Sequence, residues 1–273
     1  MTNINALPPH KLARRLRGCL ARLPGADQDA LCVLFVLIFP ELSGEQALKE
    51  NPVEHHLFVT ENVIRIAGAE QLNLRQEAAA GLLHDIAPVG KISKTQLKEL
   101  KKTFDNETNP ERKLQYERDL QLLDDLQYGF RTLHMRKGSA IANERLLEVN
   151  QALGRAAFDR HDVEQVCDLI SIHDSPSILR AIPGDNRAAV CFREADRLWM
   201  VSEEGVLADL RREAAEVSED AKLDRAKKNQ IRYKEEKRDC YAGDPTCIND
   251  TFFRTQTGYE VYKGWCDFWG INP

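Results

Sequence analysis

Of the seven histidines in this 273-residue chain, four stand where the local sequence turns them toward a protein interior, and two aspartates accompany them. His55 shares a helix face with Val59, Val63 and Ile66, a spacing that places it among core residues. His84-Asp85 closes the apolar run Leu82-Leu83-His84-Asp85-Ile86 behind an Ala-rich stretch. Burying that carboxylate is costly unless a cation or a full set of donors meets it. The end of a helix, partially negative, disfavours a bare aspartate and favours a bound cation. His173 lies on the apolar face of a helix that carries Val163 and Val166, and His134 precedes Arg136-Lys137-Gly138-Ser139-Ala140. Asp196 falls within a helical pattern beside Ala195, Leu198 and Trp199. Any one of these reads equally well as a satisfied core residue. His56 is taken to face away from the core, and His161-Asp162 is taken as a helix start with Asp162 as N-cap.

Together the six offer four neutral nitrogen donors and two carboxylates, with no thiolate. By ligand softness such a set suits two divalent transition-metal ions, Fe or Mn foremost and then Co, Ni or Zn, over Mg or a structural zinc. Two ions roughly 3.5–4 Å apart that share a carboxylate lower the pKa of a water between them and clamp both oxygens of an in-line displacement at phosphorus. The chemistry predicted is hydrolysis of a phosphate ester. Lys91, Arg136, Lys137, Arg193 and Arg197 lie near the motifs and are candidates to neutralise substrate phosphate; Lys137 and Arg197 are the favoured pair.

The order His55, His84-Asp85, His134, His173, Asp196 resembles the HD-domain metal-dependent phosphohydrolase superfamily over about Pro52 to Trp199. The resemblance implies that His55, His84, Asp85 and Asp196 bind one metal. In the binuclear branch it implies His134 and His173 for a second, with Asp85 bridging. His134-x-x-x-Gly138-Ser139-Ala140 is similar to the His-x-x-x-Gly-Ala of binuclear members such as the HD-GYP phosphodiesterases and diadenosine tetraphosphatases. The function implied is hydrolysis of a phosphomonoester or nucleotide-type phosphodiester by a metal-bridging hydroxide, with Asp85, Lys137 and Arg197 as catalytic residues. The same branch includes mixed-valent di-iron oxygenases, and a non-catalytic signalling or scaffold protein with a degenerate centre is a third reading. Three departures stand out. Ala87-Pro88-Val89 separates the His-Asp pair from Gly90-Lys91; the stretch between His84 and His134 holds a charged segment that could displace His134 and leave a mononuclear site; and Gly-Tyr-Pro is absent, which argues against cyclic di-GMP.

Helix signals dominate the elements that must carry these residues, so the class expected is all-α. Pro8-Pro9 precede an amphipathic run to about Leu23 that Pro24-Gly25 stop, and Asp27 to Phe39 is apolar all round, as a buried helix is. Asn51-Pro52 and Asn73 read as starts of the helices bearing His55 and His84. Ser93 with Gln96 resembles a capping box, Asn109-Pro110 opens a charged helix to about Tyr128, and Asp162 with Gln165 opens another. Glu203 to Asp239, dense in alternating charge, reads as a solvated helical arm, and Phe252 to Trp269 as an aromatic helix docking on the core. The tail aromatics Trp265, Phe268 and Trp269 read as packing rather than as a base-stacking platform. The expected organisation is one helical domain over 1–273, with an HD core at about 52–199, an insertion at about 93–130 and an extension at about 203–273.

Composition narrows the partners. With 38 Lys+Arg against 43 Asp+Glu the net charge is −5, so nucleic acid is not expected as a partner; a small phosphate ester is, and a homo-oligomer is left open. The longest apolar run, Ala30 to Phe39, is too short for a membrane span. The polar and basic N-terminus predicts no secretory leader. Seven scattered cysteines predict reduced thiols and a cytoplasmic setting, with a Cys240–Cys247 disulfide as a minor alternative.

Overall fold

Proline, glycine and short polar caps divide the chain into helices, and among the described residues all regular structure is helical. The computed structural model describes residues 10–44, 53–87, 102, 103, 105, 106, 108–173, 186–241 and 243–273. Asn51-Pro52 and the Ser93–Gln96 box therefore lie outside the described residues.

Helix α1 (His10–Leu20) is followed by α2 (Gly25–Leu42), for which Pro24 is the N-cap. The Pro-Gly pair thus starts a helix as well as ending one. Helix α2 runs through Pro40, whose missing N–H forfeits one bond in the last turn only. It was expected to be buried all round. Instead Leu31, Leu34, Phe35 and Ile38 form a fully buried face, while Cys32, Val33 and Leu37 are only partly covered.

Helix α3 (Val53–Ala69) carries His55, and α4 (Leu74–Leu83) ends at His84 as its C-cap. Asn73 caps α4 as expected, its side chain accepting from the Gln76 N–H. These two helices cross at contact distance because position 81 is glycine. A Cβ on Gly81 would lie 2.9 Å from the Thr60 Cα, where no side chain fits.

The charged helix predicted to stop near Tyr128 does not stop. Helix α5 is continuous over Pro110–Leu153, 44 residues, from the Asn109 cap to Gly154 in the left-handed region at φ 62°. His134 therefore sits inside a long helix rather than after one. Helix α6 (Arg160–Ile172) opens on a capping box in which Asp159 is the N-cap and Asp162 the third helical residue, so the cap falls three residues earlier than the sequence suggested. Asp162 accepts instead from Arg75 and Gln76, tying α6 to α4. Helix α7 (Arg187–Leu198) packs on α3 and α4 and presents Asp196.

Beyond α7 lie α8 (Glu203–Arg212), α9 (Glu219–Tyr241) and α10 (Gln256–Trp269). The solvated arm expected over Glu203 to Asp239 is a correction. One face of this segment is buried: Ala226, Asn229 and Tyr233 are almost fully covered. The docking helix is found as expected. Glu194 on α7 accepts the Thr255 N–H at 3.0 Å and the Thr255 hydroxyl, just ahead of α10, and Trp269 Nε1 donates to the Val201 carbonyl at 2.7 Å. Cys19, Cys32, Cys167, Cys191, Cys247 and Cys266 are free thiols; the Cys240 side chain lies outside the described residues. No helix among the described residues is long and apolar enough to cross a membrane.

Candidate metal centre

Five helices bring the six residues to one point. Helix α3 supplies His55, the end of α4 His84 and Asp85, α5 His134, the end of α6 His173, and α7 Asp196. The donor atoms fall into two groups, His55 with His84 and Asp196, and Asp85 with His134 and His173, each within 4.8 Å. In the first, the two Nε2 atoms of His55 and His84 are 2.9 Å apart, and each is 3.6–3.8 Å from Asp196 Oδ1. In the second, Asp85 Oδ1 is 2.9 Å from His134 Nε2 and 3.2 Å from His173 Nε2.

Asp85 spans both groups. While Oδ1 faces His134 and His173, Oδ2 lies 3.4 Å from His55 Nε2 and 3.6 Å from His84 Nε2. The charged insertion has not displaced His134, since α5 runs straight through it.

The proton positions favour a cation. His84 Nδ1 lies 2.9 Å from the Gly81 carbonyl and His173 Nδ1 2.7 Å from the Ile170 carbonyl. A carbonyl only accepts, so both rings carry their proton on Nδ1 and turn an Nε2 lone pair to the centre. His55 Nδ1 and His134 Nδ1 are buried without a hydrogen-bond partner. Burial pushes His84 down to about 4 against the pull of Asp85, so the ring is neutral at pH 7. For Asp85, burial acts upward, but the neighbouring His84, His134, His173 and His55 rings outweigh it and hold the carboxyl well below its usual range. Asp196 is likewise held low, against burial, by Arg197, His84, His55 and Arg193. Buried lone pairs and ionised carboxylates converging with few protons among them are the donor set a divalent cation needs. The histidines are almost wholly buried, whereas Asp85 and Asp196 keep 13% and 11% of their side-chain surface exposed.

The basic residues fare differently. Arg193, 2% exposed, donates to the His173 carbonyl at 2.7 Å and to Glu236 on α9. Arg197 Nε lies 2.9 Å and 3.1 Å from the two Glu236 oxygens. Both guanidiniums reach within 3.7 Å of Asp196 Oδ2. Arg193 is thus a buried cation already engaged by Glu236 and a carbonyl. Arg136 and Lys137 are exposed on α5. Lys91 lies outside the described residues.

Three further residues at the site drew no notice as functional candidates. Glu236 sits in a run so dense in charge that nothing singles it out. The Trp199 ring stands 5.1 Å from that of His55 and 5.3 Å from Phe58. His56, expected to face outward, is as buried as His55; its Nδ1 donates to the Leu82 carbonyl at 3.0 Å, and burial holds it neutral. Gly138 accounts for the glycine of the His134 motif: a Cβ there would press on Ile170 Cγ2 at 3.3 Å.

Fold and site define an all-α protein with a buried His/Asp cluster able to hold metal. Set against family models, curated proteins and solved structures, the chain matches none.

Proposed function

We propose that this protein is a metal-dependent phosphohydrolase of HD-domain type, acting on a phosphomonoester or nucleotide-type phosphodiester. The observation that carries this reading is the division of one carboxylate, Asp85, between two pairs of imidazoles, one of which Asp196 also joins. Two divalent ions bound there would supply an activated water and positive charge for a phosphoryl group. His84 and His173 keep their lone pairs directed inward because the carbonyls of Gly81 and Ile170 fix their tautomers. Asp196 contributes its Oδ1 to the centre while Arg193 and Arg197 hold Oδ2.

The test is metal quantification followed by a screen of phosphate esters, including nucleotides and dinucleotides, run in air and without oxygen. Two ions per chain and release of phosphate or a phosphomonoester in both atmospheres support the reading. Turnover that stops without oxygen transfers the same ligands to oxygenase chemistry, and absence of any transition metal leaves a scaffold.

A further inference from the structure

We infer that Glu236 is a positioning residue, which keeps two guanidiniums from capturing Asp196 and so preserves the ion held by His55, His84 and Asp196. This rests on the metal-centre reading above. Asp196 stands in a conflict of charge. Asp196 has two oxygens and two kinds of neighbour: Oδ1 faces His55 Nε2 at 3.6 Å and His84 Nε2 at 3.8 Å, while Oδ2 faces Arg193 Nη1 and Arg197 Nη1, both at 3.7 Å. A carboxylate beside two guanidiniums is readily taken into a bidentate pair, which would rotate Oδ1 off the histidines and weaken it as a donor to a cation. Both guanidiniums are instead drawn to Glu236, a single acid on α9, by Arg193 Nη2 and Arg197 Nε. Arg193 is 2% and Glu236 15% exposed, so water screens this competition little.

The carboxylate is itself held in register by the fold. Tyr233, one turn earlier on α9, donates its hydroxyl to the Arg197 carbonyl, so α9 grips α7 by its backbone as well as by charge. Asn229, a further turn back, donates to the Met200 carbonyl at 2.6 Å. Three residues on one face of α9 thus fix it along the end of the helix that bears Asp196. Among the described residues, the second group of donors, Asp85 with His134 and His173, meets this device at the His173 carbonyl, to which Arg193 donates. The consequence is asymmetric: loss of Glu236 should cost one ion far more than the other.

Cobalt(II) binding to the full chain, followed by titration and by its visible absorption, reads the two ions separately. The wild-type chain is expected to take up two. Glu236→Gln is expected to weaken one of them by about 10- to 100-fold, the range for losing a group behind a metal ligand, and to leave the other within a few fold. Glu236→Asp, which keeps the charge, should hold that ion better than Glu236→Gln. In the double variant Glu236→Gln with Arg197→Gln one competing guanidinium is gone, so the weakened ion should recover even though one more native contact has been removed. That recovery separates positioning from mere stability, and because the double variant removes one of the two guanidiniums that Glu236 balances, it also serves if Glu236→Gln alone fails to fold. Two tightly bound ions in Glu236→Gln, equal weakening of both, or a double variant that binds no better than the single one overturns the inference while the metal centre stands. No uptake by the wild-type chain overturns both.

Discussion

The two halves of the candidate centre are built alike in front and differently behind. His55, His84 and Asp196 are backed by charge and aromatic rings: the Trp199 ring at 5.1 Å from His55, and Arg193, Arg197 and Glu236 behind Asp196. Asp85 Oδ1, His134 and His173 are backed by a carbonyl and hydrocarbon: Ile170 fixes His173, and Gly138 lets α5 settle against the Ile170 side chain. One half depends on electrostatic balance that reaches it from α9, some forty positions along the chain; the other depends on how closely α5 can lie on α6. Interiors as dense as a protein's transmit a change of packing directly, whereas a charge balance fails only when one partner is removed.

The most damaging way to break the comparison is to remove what the halves share. Asp85→Ala takes one oxygen from each group and leaves four buried imidazoles with a single carboxylate. Both ions are expected to be lost, with affinity falling by more than the roughly 100-fold that a group behind a ligand can cost, and phosphate-ester turnover with them. Metal content after desalting checks this. Two ions retained by Asp85→Ala would mean that the carboxylate does not link the groups.

A smaller and one-sided effect is expected at Gly138. A leucine there must displace the Ile170 side chain, which crowds even a Cβ at 3.3 Å. Overpacking of this kind costs about 1–3 kcal/mol and pushes α5 outward, carrying His134 away from Asp85. Gly138→Leu should therefore bind one ion where the wild type binds two, the reverse of the half that Glu236→Gln affects. Spectra that lose the same ion in both variants would erase the distinction between the halves.

The ligands themselves were legible in the sequence because each stands on a helix whose apolar period points it inward, and the structure brings all six together. Helix class and several caps were legible for the same local reasons, as at Asn73 and Asn109. What lay beyond reach was long-range. Glu236 is one acid among many in its segment, and only the docking of α9 on α7 makes it different from its neighbours. His56 misled because a helix crossed closely on two sides buries more than one face, and Gly81 is what permits that crossing. The length of α5 was hidden because Gly129 follows Tyr128 as a helix-ending glycine would, yet the helix continues through it. The surroundings of Arg193 were out of reach on a similar point, since its acidic partner comes from α9.

The smallest effect at the centre is expected at Glu77, two turns ahead of His84-Asp85 on the helix that serves both halves. Its side chain is 2% exposed, Oε2 has no hydrogen-bond partner, and burial pushes its carboxyl up to about 8. The folded state therefore binds a proton that the unfolded chain releases above the ordinary carboxylate range. Between about pH 5 and 8 the unfolded state holds fewer protons, so stability falls as pH rises, by up to about 1.4 kcal/mol per pH unit from this group, and levels off above its folded pKa. Glu194, pushed up to about 7 by burial, adds to that decline, while His56 and His84, held neutral, oppose it only as pH drops below the usual imidazole range. Glu77→Gln isolates one contribution: its stability relative to wild type should climb steadily from pH 5 to 8, by a few kcal/mol in all, with both ions bound as before. Urea unfolding of the two proteins across that range measures the difference. A constant offset would show that Glu77 is ionised throughout, with a partner inside the fold, and that α4 carries a second buried charge beside Asp85.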